Sequence, residues 1–373
     1  MKGFGLYVHW PFCQSKCPYC DFNSHVQSTV DHTAWSDALC SEIIRSAEEV
    51  PDFTLSSIFF GGGTPSLMLP GTVEKVIETA RSVWRCINDP EITLEANPTS
   101  VEAAKFTAFQ SAGVNRVSIG IQALNDADLR TLGRLHTADE AKQAYEIAHT
   151  TFGRVSFDLI YARQDQSLSD WESELILALD MAADHLSLYQ LTIEAGTAFG
   201  DRHSRGGLTG LPSEDLSADM FNLTQSLTAN AGLPAYEISN HAVPGAESRH
   251  NLTYWRSEDW VGVGPGAHGR YSKGALRIAT EALSKPTDWL RSVQEDGTGE
   301  ASRSVIPSDT YNEEVLMMGL RLEEGVPLER LSEYAYGFRE LEKEGLLVIT
   351  DGRVRTSSKG KPLLNAILRA LIL

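Results

Sequence analysis

Short β-rich runs alternate with helix-like segments along residues 1–200, and nothing else in the chain restricts its fold as strongly. The runs are "GLYVHW" (5–10), "SSIFF" (56–60), "EITLEA" (91–96), "RVSIGIQ" (116–122), "RVSFDLIY" (154–161) and "HLSLYQLTI" (185–193). Helix-like segments lie between them at 33–49, 71–85, 100–112, 126–132, 138–150 and 170–183. Several open on capping residues, such as Thr99–Ser100 and Ser169–Asp170. Six βα units in succession imply a parallel sheet with right-handed crossovers. Six is short of the eight that close a barrel, so an α/β fold is predicted, with an open, partial (βα)6 TIM-like barrel.

In βα barrels chemistry gathers at the C-terminal ends of the strands. A cysteine run follows strand one, "GGGT" follows strand two, Glu95 ends strand three, Gln122 ends strand four and Asp158 lies late in strand five. Beyond residue 200 the pattern changes. "GDRHSRGGLTG" reads as a loop, 213–232 as a helix, and "YEISN" and "WVGVGPGAHG" as short strand-and-turn pieces. Helices are predicted at 309–325, 327–344 and 360–371, with a hairpin turning at Asp351-Gly352. That tail predicts a small α+β, winged-helix-like domain acting as a cover or docking module. The expected division is 1–200 for the barrel, 201–300 for a barrel extension and 301–373 for the C-terminal domain.

The 373 residues carry 50 acidic and 32 basic side chains, a net charge of −18. A binder of phosphate backbones needs the opposite sign, which argues against nucleic acid as a partner. No apolar run approaches the roughly 20 residues of a membrane span. "MKGFGLYVHW" lacks a secretory signal pattern, so a cytoplasmic location is expected. In that reducing setting, clustered cysteines are read as metal-binding or catalytic rather than as disulfides.

Cys13, Cys17 and Cys20 form a C-x3-C-x2-C cluster in "WPFCQSKCPYCDFNS". Cys40, inside a predicted helix, and Cys86, at the end of another, read as single buried thiols. Structural zinc takes four ligands, and His9 or His25 would have to complete such a site. A [4Fe–4S] cluster on three cysteines is the better fit, its fourth iron left for an exogenous ligand. The spacing, an aromatic before the last cysteine and the position after a first barrel strand resemble the radical S-adenosylmethionine superfamily. There the amino and carboxylate groups of S-adenosylmethionine chelate the open iron.

"FFGGGTPS" is no Walker loop, because no Lys-Ser/Thr follows it. Glu95 would suit an ammonium or ribose hydroxyls, Gln122 and Asp158 ribose hydroxyls, and Arg134 a carboxylate. "LYVHWPFCQSKCPYCDFNS", "GGGTPS", "LEANP", "NRVSIGIQ", "LGRLHT", "DLIY", "LYQLTIE" and "RHNLTYW" together resemble the HemW haem chaperones, relatives of the oxygen-independent coproporphyrinogen III oxidases. The resemblance spans nearly the whole chain. It implies cluster ligation by Cys13, Cys17 and Cys20, and S-adenosylmethionine contacts from Tyr7, Gly62, Gly63, Thr64, Glu95, Gln122, Arg134 and Asp158.

Two departures from the family pattern stand out. A Gly-Leu-Pro-Gly turn usually follows "DLIY", where this chain has "ARQDQ" (162–166), so a differently shaped loop is expected. Trp10 stands where a smaller aliphatic is common.

The oxidases carry a further cysteine two residues past the third, where this chain has Phe22. "HNLTYW" (250–255) matches the motif that the chaperones use for haem, which implies a haem site at His250, Asn251, Tyr254 and Trp255. His268 in "GVGPGAHG" is a secondary ligand candidate; that glycine run lacks the spacing and setting of a dinucleotide loop. The expected cofactors are therefore a [4Fe–4S] cluster, S-adenosylmethionine and haem. Expected partners are apo-haemoproteins such as respiratory cytochromes, with a homodimer and a peripheral membrane contact left open. The competing readings are a coproporphyrinogen oxidase and a zinc-bound structural module.

Overall fold

The protein is described by a computed structural model over residues 3–372, Val101 by its backbone only. Six strands follow the expected βα order: β1 (Gly3–Trp10), β2 (Thr54–Gly62), β3 (Arg85–Ala96), β4 (Arg116–Gln122), β5 (Arg154–Tyr161) and β6 (His185–Gln190). Neighbours pair in parallel from β1 through β6. Five further strands extend this half-barrel: β7 (Asn240–Ala242), β8 (Trp260–Val263), β9 (His268–Lys273), β10 (Leu276–Ala282) and β11 (Glu300–Ile306). The single open sheet runs β11-β10-β9-β8-β1-β2-β3-β4-β5-β6-β7. β8 lies parallel to β1, so the parallel run is one strand longer than expected. β11 also belongs to this sheet, and a boundary at 300/301 would cut it.

Alternation along the strands decides what faces the barrel interior. Val117, Ile119 and Ile121 of β4 are fully buried, while Ser118, Gly120 and Gln122 on the other face line the main cavity. The C-terminal module has its own core around Leu316, Leu331, Phe338 and Val354. Its small antiparallel sheet joins Val326–Pro327, Arg353–Thr356 and Leu347–Thr350. The hairpin turns where expected, Asp351 and Gly352 both having positive φ (51° and 71°).

Several local expectations are corrected. Residues 198–204 form a helix, its first turn capped by Thr197, rather than a loop. Cys86 sits at the start of β3, not at a helix end. The helix expected at 327–344 is shortened to Ala335–Lys343, because Val326–Pro327 is taken up as a strand against Arg353–Thr356. The helix after β5 starts at Leu168, where Ser167 and Asp170 form a capping box. "RHNLTYW" is a helix capped by Ser248.

The loop after β5 shows how "ARQDQ" replaces a glycine turn. Ala162 (φ 58°) and Asp165 (φ 57°), at the two positions where the family turn has glycine, adopt left-handed backbone conformations. That costs an L-residue about 1–2 kcal/mol. The buried Arg163 compensates by fastening the loop. Its Nη2 donates to Glu174 Oε2 and Asp128 Oδ2, each at 2.6 Å, and its Nη1 donates to the Ile160 carbonyl at 2.5 Å. Arg163→Met would leave the buried Glu174 carboxylate without its cation. It is expected to cost about 3 kcal/mol in denaturant unfolding; a loss below about 1 kcal/mol would show that the network does not hold the loop.

Candidate functional site

One cavity of about 1230 Å³ opens at the C-terminal ends of the barrel strands and reaches the C-terminal module. Cys13, Cys17 and Cys20 line it, on the loop that leaves β1. Of the positions expected to contact S-adenosylmethionine, Gly62, Gly63, Thr64, Glu95, Gln122, Arg134 and Asp158 also line it. Tyr7 is not among the lining residues. Its hydroxyl is 3.0 Å from His9 Nδ1, inside the barrel.

Each of the three sulfurs has a hydrogen-bond contact, that of Cys20 being Ser24 Oγ at 3.7 Å. Thr64 Oγ1 donates to Cys13 Sγ at 3.4 Å, and Arg134 Nη1 donates to Cys17 Sγ at 3.3 Å. Burial nevertheless pushes the Cys13 thiol up, against the lowering effect of the Thr64 bond. Arg134 is itself fixed by Asn97 Oδ1 (2.6 Å) and the Gly120 carbonyl (2.8 Å). Asn97, in "LEANP", carries no local sequence signal for this role. It also donates to Thr64 Oγ1 at 3.2 Å, tying the second and third strand ends together.

Two carboxylates face the same space. Burial pushes Glu95 up to about 8, with repulsion from Asp158 adding to it; the Gly62 N–H, 3.3 Å from Oε2, pulls the other way. Burial pushes Asp158 up to about 6, moderated by a hydrogen bond from Gln122 Nε2 and by Arg134. Gln122 is held at φ 74° where β4 breaks register against β5. A non-glycine residue strained in this way at a strand end marks a site where geometry matters more than backbone ease.

The "GVGPGAHG" glycines turn out to serve the cysteine loop. Asn23 Nδ2 donates to the carbonyls of Pro265 (2.9 Å) and Ser284 (2.8 Å), clamping the loop to the barrel extension. A Cβ on Gly264 would meet the His9 carbonyl at 2.4 Å, and one on Gly266 would meet Asn23 Nδ2 at 2.7 Å. Both have positive φ, so only glycine allows this approach.

His9, His25 and His250 are hydrogen-bonded to protein groups in this structure. His9 is buried with Nδ1 on Tyr7 and Nε2 on the Asn23 carbonyl (2.9 Å), and His25 Nε2 is 2.9 Å from Asn23 Oδ1. Both nitrogens of His9 and the Nε2 of His25 are thus engaged with protein, which weakens the zinc reading. His250 is fully buried, with Nδ1 2.8 Å from Ser57 Oγ and Nε2 2.7 Å from Tyr254 Oη. It therefore presents no nitrogen to a haem iron in this structure. Asn251, Tyr254, Trp255 and His268 do not line the cavity either. The His250 ring packs inward against β2, stacking 5.1 Å from Phe59, while Asn251, Tyr254 and Trp255 are half-buried. His250→Ala, which leaves two buried hydroxyls unpartnered, is expected to cost about 3 kcal/mol. Haem affinity of the folded variant should be unchanged; a selective loss of the Soret shift at unaltered stability would restore His250 as a ligand.

A cysteine triad on the first strand-end loop, facing a glycine turn and polar strand ends, defines the radical S-adenosylmethionine class of protein. Comparison agrees. Residues 7–175 match the Radical SAM superfamily and 306–363 match the HemN C-terminal domain. The chain is 38% identical to the mitochondrial radical S-adenosyl methionine domain-containing protein 1 of Bos taurus, covering 98% of this chain and 87% of that one. It is 41% identical to the heme chaperone HemW of Escherichia coli over 71% of this chain and 69% of that one. It is 33% identical to the heme chaperone HemW of Mycobacterium tuberculosis, over 99% and 95% respectively. In fold it matches the coproporphyrinogen III oxidase HemN of Escherichia coli, with a TM-score of 0.80 at 20% identity, covering 99% of this chain and 90% of that one. The chain belongs to the HemW family of radical S-adenosylmethionine proteins. Among the described residues no helix is long and apolar enough to cross a membrane.

Proposed function

We propose that this protein is a cytoplasmic haem chaperone, binding haem and passing it to apo-haemoproteins such as respiratory cytochromes. The observation that carries this reading is Phe22. At the position where the oxidases place a further cysteine, this chain sets a phenylalanine, 61% exposed, on the wall of the cavity. An apolar ring there suits a flat apolar ligand and supplies no thiol.

The residues present fit a [4Fe–4S] cluster with S-adenosylmethionine. Three thiols line one cavity, Thr64 Oγ1 and Arg134 Nη1 donate to sulfur, and the buried Arg134 Nε has no hydrogen-bond partner. Such donors stabilise an anionic cluster and tune its potential. When bound, the cluster would supply one electron to the sulfonium. The chain's own residues do the positioning. Cys13, Cys17 and Cys20 would ligate iron, Glu95 would hold the ligand's ammonium once ionised, and Gln122 and Asp158 would receive ribose hydroxyls. Arg134 places a fixed positive charge beside Cys17, and Asn97 keeps that charge in register with the strand ends.

Two assays with the anaerobically reconstituted protein test the reading. Added haem is expected to give a saturable Soret shift and to pass to an apo-cytochrome. Coproporphyrinogen III is expected to remain unchanged; its conversion to protoporphyrinogen would replace the chaperone reading with that of an oxidase.

A further inference from the structure

The cavity is larger than a single small-molecule pocket ordinarily is, roughly 300–1,000 Å³. It is also uneven in character from one end to the other. At the cysteine end its basic side chain is Arg134, whose Nη donors are committed to Cys17, Asn97 and Gly120. At the far end the basic side chains are Arg321 and Lys361, both supplied by the C-terminal module.

Arg321 is oriented but under-used. Its guanidinium lies 4.6 Å over the Trp255 ring, and its Nη2 makes one long contact, 3.4 Å, to Glu237 Oε2. Its Nε is buried without a hydrogen-bond partner. Glu237 is buried and Arg321 is its cation on Oε2, while its Oε1 accepts from Ser239 N (2.9 Å) and Asn240 Nδ2 (2.6 Å), so the remaining guanidinium donors are the ones left for a ligand. A guanidinium offers five N–H donors in a fixed fork that matches a carboxylate. Stacking on an aromatic face fixes the plane of that fork while leaving donors free. Lys361 pairs with Glu323 and has three donors, so it too can serve a second anion. Glu214 and Asp215 also line this end, but both are exposed on the first turn of their own helix, where its N-terminal dipole and water absorb their charge.

Polar side chains such as Gln190, Thr192, Glu194 and Asn365 share the lining with large apolar ones. Phe22, Leu135, Tyr189 and Leu363 are large hydrophobic side chains exposed by 41–68%, and all four line this cavity. Exposed apolar surface gathered at a cavity, with few polar groups converging, marks a ligand site. Leu363 lies two residues from Lys361, so one short segment presents both characters.

We propose that Arg321 and Lys361 form a carboxylate-binding end of the cavity, which grips the acidic side chains of a ligand whose apolar body rests on Phe22, Leu135, Tyr189 and Leu363. This rests on the haem reading and specifies which part of haem the C-terminal module recognises: its two propionates. A purely structural role for Arg321, joining the module to the barrel through Glu237 and Trp255, would affect stability without distinguishing ligands by their carboxylates.

The test is a titration of the full-length protein with haem and with haem dimethyl ester in the same dilute detergent. The wild type is expected to bind haem at least tenfold more tightly than the ester. Arg321→Met is expected to remove about tenfold of the haem affinity while leaving that for the ester unchanged. Lys361→Met makes the same comparison if circular dichroism shows that the Arg321 variant is unfolded. Equal wild-type affinity for haem and ester, or an equal loss for both in the variants, overturns the carboxylate site and leaves the haem reading intact. If the wild type binds neither compound, the haem reading falls and the proposal falls with it.

Discussion

Cys17→Ser is expected to abolish the iron–sulfur cluster in anaerobically reconstituted protein, with loss of its visible charge-transfer absorption and of the EPR signal on reduction. Three thiols line the cavity, so a cluster held by them has no protein ligand in reserve. A serine oxygen is a poor substitute for a soft thiolate. Cys13→Ser and Cys20→Ser should behave alike. Cys40→Ser should keep the cluster, because Cys40 is buried in the first helix and receives a hydrogen bond from Thr79 at 3.3 Å, away from the cavity. Arg134→Gln should retain iron yet shift the reduction potential, since it removes a positive charge and a donor from Cys17. Wild-type protein that takes up stoichiometric zinc and forms no redox-active cluster would contradict the whole assignment.

Affinity for S-adenosylmethionine is expected to rise with pH, and Glu95 is the reason. An ammonium group needs the ionised carboxylate, but burial and then the nearby Asp158 hold Glu95 protonated up to about 8. Asp158, at about 6, ionises first. Binding that requires ionised Glu95 releases a proton below pH 8, so affinity should climb about tenfold per pH unit from 6 towards 8, then level off. Glu95→Gln should flatten this slope and weaken binding above pH 8 by about tenfold. An unchanged slope in the variant would sink the assignment.

The same shift bears on the ligand-free fold. The folded pKa lies above the value of 4.5 expected for the unfolded chain, so between 4.5 and 8 the folded state holds the proton that the unfolded state has lost. The contribution to stability is complete below about 4.5 and disappears as pH rises through 8. Thermal unfolding of the apo protein should show that decline, and the Gln variant should show less of it.

The barrel was legible because a βα repeat is written locally. Each strand is a short apolar run, each helix opens on a capping residue, and right-handed crossovers leave few ways to connect them. The cysteine triad was legible for the same reason, its members lying within eight consecutive positions. The register at strand ends put Glu95, Gln122 and Asp158 in one place once the strands were counted. The role of Asn97 is not written locally, because it depends on Arg134 and Thr64, each more than 30 positions away.

Other features depended on packing across the chain. "HNLTYW" carries an imidazole and aromatics that suit haem in isolation. Its place beneath Ser57 and Phe59 follows only from a helix, Arg249–Trp255, folding back onto β2 some 190 residues earlier. The glycines at 264 and 266 gained their meaning from Asn23, and Arg321 gained its own from Trp255 and the cavity wall. Local residue patterns thus dictated the half-barrel and the triad, since propensity, capping and spacing act over a few residues. Which histidines are engaged by protein, and where Arg321 and Lys361 meet the cavity, was decided by tertiary contacts, since burial and hydrogen-bond partners depend on residues that only the fold brings together.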